Sequence, residues 1–351
     1  MSNVKKLMMT AASGDALNVE DVFSTDLFTS SNATATTVTN NIDLSGEGGL
    51  VWRKARDVIS AHLLSDTEMG TSKAFLRSDT TGAQSTDEDA VATFNSDGFT
   101  TGSLTGTRQW VNWTFRKAPK FFDIVTYTGN GTNRTISHNL GATPGCMIIK
   151  ATNDSYAWAV YHRGHPSPQY QYSWLHSTQV VGTLANYWNS TDPTDSVFSL
   201  GTNATVNANG VNYVAYLFAH NNSDGGFGPT GDQDIIKCGS YTGSGGDNNF
   251  IDIGFEPQWF LTKRTNSDGA WNLVDNMRSF TTRPPSGASA ASYPLRLKAN
   301  TGGAETEYWQ QHVDASGVIL DSANGDSNAS GSNYIYMAIR RGPMAVPESA
   351  T

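Results

Sequence analysis

Tyr213-Val214-Ala215-Tyr216-Leu217-Phe218-Ala219-His220 places apolar side chains on both faces of an extended chain. A β-strand with this pattern is covered on both sides, so we expect it in the middle of a sheet. Two similar runs occur at 110–119 and 334–343. One pattern therefore recurs three times, and it predicts three copies of one β-rich fold.

Each of these closing runs has a matching opening. The three copies begin near Asp21, Asp123 and Asp234, roughly a hundred residues apart. A copy of this length is large enough to build a core of its own, unlike one rung of a solenoid. The repeat period therefore predicts three domains.

Short apolar runs alternate with turn residues such as Asn130-Gly131, which suit tight hairpins. So many short strands in one copy favour an all-β fold of three tandem antiparallel β-sandwich domains, jelly-roll-like in type. In the middle copy the candidate strands are 122–128, 133–138, 145–151, 156–162, 172–177, 196–200 and 211–219. The predicted boundaries are an arm at 1–20, sandwiches at 21–120, 121–222 and 233–343, a flexible Gly-rich linker at 223–232, and a tail at 344–351.

Composition excludes several classes of protein. Only 16% of the 351 residues are charged and 38% are apolar, which is typical of an ordered, turn-rich β protein. The formal charge of −9 and the lack of a Lys/Arg cluster argue against nucleic-acid binding. No apolar run reaches the ~20 residues that cross a bilayer. Cys146 and Cys238 are predicted to be free buried thiols.

No set of residues has the spacing of a catalytic or metal site. The nearest candidate, His162-Arg163-Gly164-His165, is more simply a pair of surface or loop histidines, since alternate residues of a strand point to opposite faces. Carboxylates crowd the first copy but have no equivalents in the other two, so a solvated acidic face is the simpler interpretation. The sequence therefore predicts no enzyme, no metal and no cofactor.

Aromatic residues separate into two groups. Trp158 matches Trp271, and Trp52 matches Trp259, so these rings are predicted to fill cores. The second group occurs only in the middle copy, where it predicts a contact surface for a glycan or a protein partner. Its aromatic members are Tyr170, Tyr172 and Trp188, and polar contacts are expected from Arg163, His165 and Gln169. Ordinary domain packing is the alternative for these aromatic side chains.

Several strings of residues resemble a known family. They are 21–29, 48–54, 94–99, 113–123 and 136–141, and the most specific are Trp113-Thr114-Phe115-Arg116-Lys117-Ala118-Pro119 and His138-Asn139-Leu140-Gly141. Over roughly 5–343 the chain is similar to an uncharacterised repeated β-sandwich virion-protein family of marine and cyanobacterial tailed bacteriophages. The third copy departs from it, because Ile251-Asp252-Ile253-Gly254 replaces the second of these strings. This departure weakens a functional role for His138.

The resemblance implies a non-enzymatic structural component of a virion, made in the host cytoplasm. A tail-associated place, as a tail fibre or lectin-like adhesin, is favoured. The alternatives are a capsid decoration or head-fibre protein, or a polysaccharide-degrading tail enzyme. The same sandwich suits each of these places, so the fold alone does not separate them.

The arm supplies a further expectation. Leu7, Met8 and Met9 are apolar and lie outside the repeated pattern, so we expect them to attach the chain to other virion proteins. The expected partners are those proteins, further copies of the chain in a homo-oligomer, and a host-surface glycan. Neither nucleic acid nor membrane insertion is expected.

Overall fold

The computed structural model describes residues 16–282, 293–308 and 310–343. Strands dominate it, and the longer ones follow the apolar runs of the sequence. In the first repeat they are β1 (Phe23–Thr29), β2 (Thr37–Thr39), β3 (Gly49–Ala55), β4 (Leu63–Asp66), β5 (Ala74–Phe75), β6 (Ser85–Thr86), β7 (Val91–Asn95), β8 (Gly98–Thr101) and β9 (Gln109–Arg116).

The other two repeats contain equivalents of the long strands β1, β3 and β9. The second has β10 (Phe122–Thr128), β11 (Arg134–Ser137), β12 (Pro144–Ala151), β13 (Ala159–His162), β14 (Gln171–Trp174), β15 (Gly182–Thr183), β16 (Val197–Leu200) and β17 (Asn212–Ala219). The third has β18 (Ile236–Thr242), β19 (Asn249–Asp252), β20 (Pro257–Arg264), β21 (Trp271–Asp275), β22 (Leu295–Lys298), β23 (Thr306–Glu307), β24 (Gln311–Asp314), β25 (Gly317–Leu320) and β26 (Asn333–Arg340). Short helices are Val19–Asp21, Leu44–Glu47, Pro168–Tyr170, Ala204–Asn207 and Asn276–Arg278.

Each repeat forms one main antiparallel sheet. The strand orders are β1-β9-β3-β4, β10-β17-β12-β13-β14-β15 and β18-β26-β20-β21-β22-β23. The strand that ends each repeat therefore lies between the first strand and the long third strand, as its apolar pattern predicted. The predicted all-β fold class is confirmed.

The registers of the three main sheets are equivalent. Trp113 of β9 lies opposite Trp52, Tyr216 of β17 opposite Ile148, and Met337 of β26 opposite Leu261. Trp52 therefore corresponds to Leu261, and its predicted match with Trp259 is wrong by two residues. Because a shift of two keeps the same face of a strand, both tryptophans are nevertheless buried.

A smaller sheet covers one face of each main sheet and completes a sandwich. These sheets are β2-β8-β7, β11-β16 and β19-β25-β24. In the first repeat Val51 of the main sheet packs in one cluster with Val38 and Phe99 of the small sheet. In the third, Phe260 packs likewise with Val318. Because side chains alternate along a strand, the residues on either side of Val51 in β3 and of Phe260 in β20 point to the opposite face of the main sheet.

The opposite faces of the three main sheets meet in one shared core. Phe115 of the first repeat lies 5.6 Å from Phe218 of the second and 5.9 Å from Trp259 of the third, measured between ring centroids. The continuous cluster around these rings contains residues of all three repeats. We expected separate cores, but main sheets that are apolar on both faces must bury the second face against one another.

The segment 223–232 differs from the flexible linker that its glycines predicted. Phe227 is buried and pairs with Gln233 in a β-bridge, while Gly228 donates a backbone hydrogen bond of 2.8 Å to Leu17. Lys120 also donates to the carbonyl of Asp224. These contacts fix the segment because one apolar side chain anchors an otherwise polar loop.

Candidate functional site

The aromatic surface predicted for the second repeat is only partly present. The helix Pro168–Tyr170 leads into β14, and Tyr170 is 39% exposed at their junction. Leu184, also exposed, donates its backbone N–H to the carbonyl of Tyr170 at 2.8 Å. Val180 lies exposed in the same hairpin. Tyr170 therefore forms a small exposed apolar patch with Leu184, a residue that the sequence did not single out.

Tyr172 is half-buried and belongs to the packing of the hairpin. Its ring stacks on Tyr187 with centroids 3.9 Å apart. On the paired strand Gly182 lies so close that a Cβ there would approach the tyrosine ring to 2.3 Å. A larger residue at position 182 would therefore displace this ring, which belongs to the packing of the hairpin.

Trp188 was predicted to be exposed, and this prediction is wrong. The side chain is fully buried, its edge packs against Tyr161 with centroids 5.8 Å apart, and its Nε1 donates to the carbonyl of Gln171 at 2.7 Å. An indole whose N–H finds a partner is stable in an interior. Trp188 has no counterpart in the other repeats because it fills a space that is particular to the second repeat.

His165 was also predicted at the surface, and it too is buried. Its Nε2 lies 3.2 Å from the hydroxyl of Ser173, and burial lowers the pKa of the imidazole well below its ordinary value. Arg163 is exposed and Gln169 is half-exposed. Of the polar residues selected from the sequence, these two remain available to a ligand. The predicted attachment residues Leu7, Met8 and Met9 lie outside the described residues.

Sequence reasoning missed a set of polar contacts that join the repeats. One equivalent position in the three repeats holds Asp66, His162 and Asp275. On the neighbouring strands these residues lie opposite Leu50, Cys146 and Trp259, respectively. Each reaches the central strand of another repeat. Asp66 accepts a 2.6 Å hydrogen bond from Tyr216, Asp275 accepts one of 2.9 Å from Trp113, and the Nε2 atom of His162 lies 3.0 Å from the carbonyl of Tyr336.

A second position repeats this cyclic arrangement. Trp158 donates its indole N–H to the carbonyl of Arg77 at 2.8 Å, and Trp271 donates to Trp174 at 2.9 Å. At the equivalent place in the first repeat, His62 lies beside the backbone of Lys298. Each repeat thus contacts both others in the same way, so one chain has an approximate three-fold arrangement.

The three interfaces differ in their charges. Asp66 is buried without a cation among its hydrogen-bond partners, and burial raises its pKa to about 6. Asp275 instead pairs with the buried guanidinium of Arg278 at 2.7 Å. At that interface Arg56 also forms two hydrogen bonds, of 2.9 and 2.8 Å, with Glu305.

Three buried lysines recur at one position, at the end of each long third strand. Lys54, Lys150 and Lys263 each donate to the carbonyl of the following residue and to a second carbonyl of a loop. Burial lowers the pKa of each to about 8. Their recurrence in the sequence was the available signal. Lys54 and Lys150 hold the loop that follows their own strand, whereas Lys263 holds the carbonyl of Thr178 in a loop of the second repeat.

An open groove of about 760 Å³ lies between the first and second repeats. Its lining is polar, with Gln84, Thr128, Asn153 and Asn212 among the residues. Within residues 16–282, 293–308 and 310–343 no group of three His, Cys, Asp or Glu side chains is placed to hold a metal ion. No helix of these residues is long and apolar enough to span a membrane.

The family model described as Domain of unknown function (DUF7483) matches residues 18–121 and 117–343. The chain belongs to this family. The two DUF7483 matches meet at the short joint between the first and second repeats, and the second runs through the other two repeats together. No curated protein matches the chain.

Proposed function

We propose that this member of the DUF7483 family is a non-enzymatic structural component of a tailed-phage virion, associated with the tail. Two kinds of observation support the proposal. Strings such as His138-Asn139-Leu140-Gly141 resemble those of phage virion proteins. The observation that carries it is the shared core, around which the three sandwiches pack against one another.

The buried polar groups also suit a structural part. Asp66, His162 and Asp275 hold neighbouring repeats together, and the three buried lysines fix loops. These side chains are engaged in contacts within the protein, in contrast to catalytic groups, which must face a substrate. The interior chemistry therefore serves rigidity.

Contact with a host glycan or another virion protein is assigned to the exposed apolar patch of Tyr170 and Leu184. Exposed apolar side chains that lie together are typical of contact surfaces. The adjoining half-exposed Gln169 supplies a polar group that orients a ligand. The patch lies in a hairpin held by the Tyr172–Tyr187 stack, so it is presented in a fixed form.

Purified particles test the virion assignment. Antibody labelling followed by electron microscopy is expected to place the protein on the tail. Labelling at the head would instead support a capsid decoration or head-fibre protein. Particles that lack the protein, judged by mass spectrometry, would contradict both assignments.

The contact patch has its own test, in which Tyr170→Ala combined with Leu184→Ala should slow adsorption to host cells or lower the copy number per particle. Ile59→Ala is the matched control, because Ile59 is the most exposed large apolar residue of the first repeat, at 86%. Equal behaviour of the two variants would remove the patch from the proposal and leave the virion assignment standing.

A further inference from the structure

Three histidines gather where the second repeat meets the third. His162 and His165 are buried and their ring centroids lie 6.0 Å apart. His220 follows β17 and is half-buried. His162 contacts Tyr336 across the interface, and His220 accepts a 3.2 Å hydrogen bond from the backbone N–H of Cys238. This interface is thus built on imidazole rings.

The hydrogen bonds require neutral rings. The Nδ1 atom of His162 accepts from the backbone N–H of Gly164 at 3.0 Å, while its Nε2 faces the Tyr336 carbonyl and donates to it. The Nδ1 atom of His220 likewise accepts. A protonated imidazole carries N–H on both nitrogens and accepts no hydrogen bond. Protonation therefore breaks one contact at each of these two histidines.

The surrounding charges do not favour an added proton. Arg163 and Lys237 oppose protonation of His220, and Lys263 opposes that of His165. Asp234 faces His220, but this carboxylate lies 3.6 Å from Lys237. The remaining titratable groups around the cluster are Cys146, Cys238, Tyr336 and, beyond Tyr336, Asp252. Burial is the main cause that lowers the pKa of His162 to about 3 and of His220 to about 4.

The other two interfaces depend less on histidine. Asp66 joins the first repeat to the second, and this carboxyl keeps its Tyr216 partner when it is protonated. The third repeat meets the first at one histidine, His62, but the Arg56–Glu305 pair and the hydrogen bond from Trp113 to Asp275 also hold that interface. Acid therefore acts most strongly between the second and third repeats.

We propose that this interface is an acid-sensitive joint, at which protonation of His162, His165 and His220 opens a cleft between the second and third repeats. Open rings titrate near their ordinary pKa of ~6.5. The opening equilibrium constant then rises as the pH falls below that value, about tenfold per pH unit for each histidine that the opening exposes. The proposal is independent of the virion assignment.

The two cysteines of the chain report on this joint. Cys146 lies opposite His162 in the β12–β13 ladder, and the Cys238 thiol contacts the carbonyl of Ala219 across the interface. Both are buried and free. Labelling by dithiodipyridine, which reacts with thiols in acid, is expected to be slow at pH 7.5 and at least tenfold faster at pH 5. Rates are corrected with the urea-unfolded chain at each pH.

Variants identify the groups responsible. His162→Gln and His220→Gln should each reduce the slope of the logarithm of the labelling rate against pH by about one decade per pH unit. His138→Gln is the matched control, since His138 directly follows strand β11 of the small sheet in the same repeat, and this variant should keep the wild-type slope. If His162→Gln fails to fold, the pH dependence of the labelling rate in His220→Gln decides whether the proposal holds. Three results would overturn the proposal. The labelling rate could stay constant from pH 7 to pH 5, or its slope against pH could be equal in all variants. The thiols could also become reactive only when the near-ultraviolet dichroism is lost.

Discussion

Asp66 and Asp275 occupy the same position in two repeats and have the same task. Each carboxylate accepts a hydrogen bond from a ring of the central strand of another repeat, Tyr216 in one case and Trp113 in the other. Only Asp275 has a buried cation, Arg278, beside it. The fold therefore requires a polar bridge at this position, but the surrounding residues decide what charge it carries.

His162 completes the set at the equivalent position of the second repeat. Three different arrangements, a lone carboxyl, an imidazole and an ion pair, thus satisfy one geometric requirement. Because the groups titrate differently, the three interfaces are expected to respond differently to mutation and to pH.

Arg278→Met tests the ion pair and should have the largest effect. The substitution leaves Asp275 buried beside Trp113 without its counter-charge, and removal of one partner of a buried pair costs about 3–5 kcal/mol. Urea unfolding at pH 7 measures the free energy. Arg341→Met is the control, because Arg341 pairs with Glu256 at the surface, where a pair contributes about 0–1 kcal/mol.

The double variant Arg278→Met/Asp275→Asn sharpens the result. A neutral amide in place of the Asp275 carboxylate still accepts from Trp113 without requiring a cation, so part of the lost stability should return. A double variant as unstable as the single one would show that Arg278 acts through packing alone.

Asp66→Asn tests the lone carboxyl, and its effect depends on pH. Burial raises the folded-state pKa of Asp66 to about 6, above its ordinary value of 3.8. The stabilisation is therefore complete below pH 3.8 and is lost as the pH rises through 6, a loss of ~3 kcal/mol. The amide of the variant does not titrate, so the stability of the variant relative to wild type should increase by about 2–3 kcal/mol between pH 4 and pH 7. A constant difference across this range would contradict the assignment.

The recurrent lysines provide the counter-example, in which one residue type fills all three equivalent positions. Their folded-state pKa of about 8 lies below the ordinary 10.5, so the unfolded chain binds more protons between these values and stability rises with pH there. We expect about 1–2 kcal/mol per lysine after screening. Tyr213 and Tyr336, whose pKa values are raised to about 12, reverse the trend above pH 10.

Lys150→Met should reduce the rise in the free energy of unfolding between pH 8 and pH 10, as measured by urea unfolding. An unchanged rise would exclude Lys150 as its source.

Tyr170→Ala should have the smallest effect, because the side chain lies on the surface of the second repeat and outside the polar bridges. We expect a change of stability within about 0.5 kcal/mol. Trp188→Ala is the contrast, with an expected loss of about 3–5 kcal/mol, because its fully buried ring leaves a cavity. Thermal unfolding of both variants compares them directly, and a large loss for Tyr170→Ala would place that ring in the core.

Local patterns in the sequence predicted the strands well. The run 213–220 was recognised as a central strand because both of its faces are apolar, and β17 lies between β10 and β12. The match of Trp158 with Trp271 also holds, since both rings donate across an interface. These features depend on residues close in the chain, and the repeat supplied a comparison.

The candidate site was predicted poorly for a physical reason. Trp188 was placed at the surface because it does not recur, and His165 because it lies near the selected aromatic residues. A residue can, however, be particular to one repeat and still fill its core. The bridges of Asp66, His162 and Asp275 escaped notice because three different residue types serve one role. Their partners lie in other repeats, at distances along the chain that no local pattern encodes.

The central strand of each main sheet is also the last one that the ribosome makes. Until β9 emerges, β1 and β3 have no partner on their facing edges, and the same holds for β17 and β26 in their repeats. Even a completed first sheet presents Trp52 and Trp113 to solvent until the later repeats arrive to cover them. Nascent chains therefore expose both open edges and apolar faces, which are the features that promote aggregation and attract chaperones. Synthesis of this protein is expected to depend on chaperones until the third repeat closes the core.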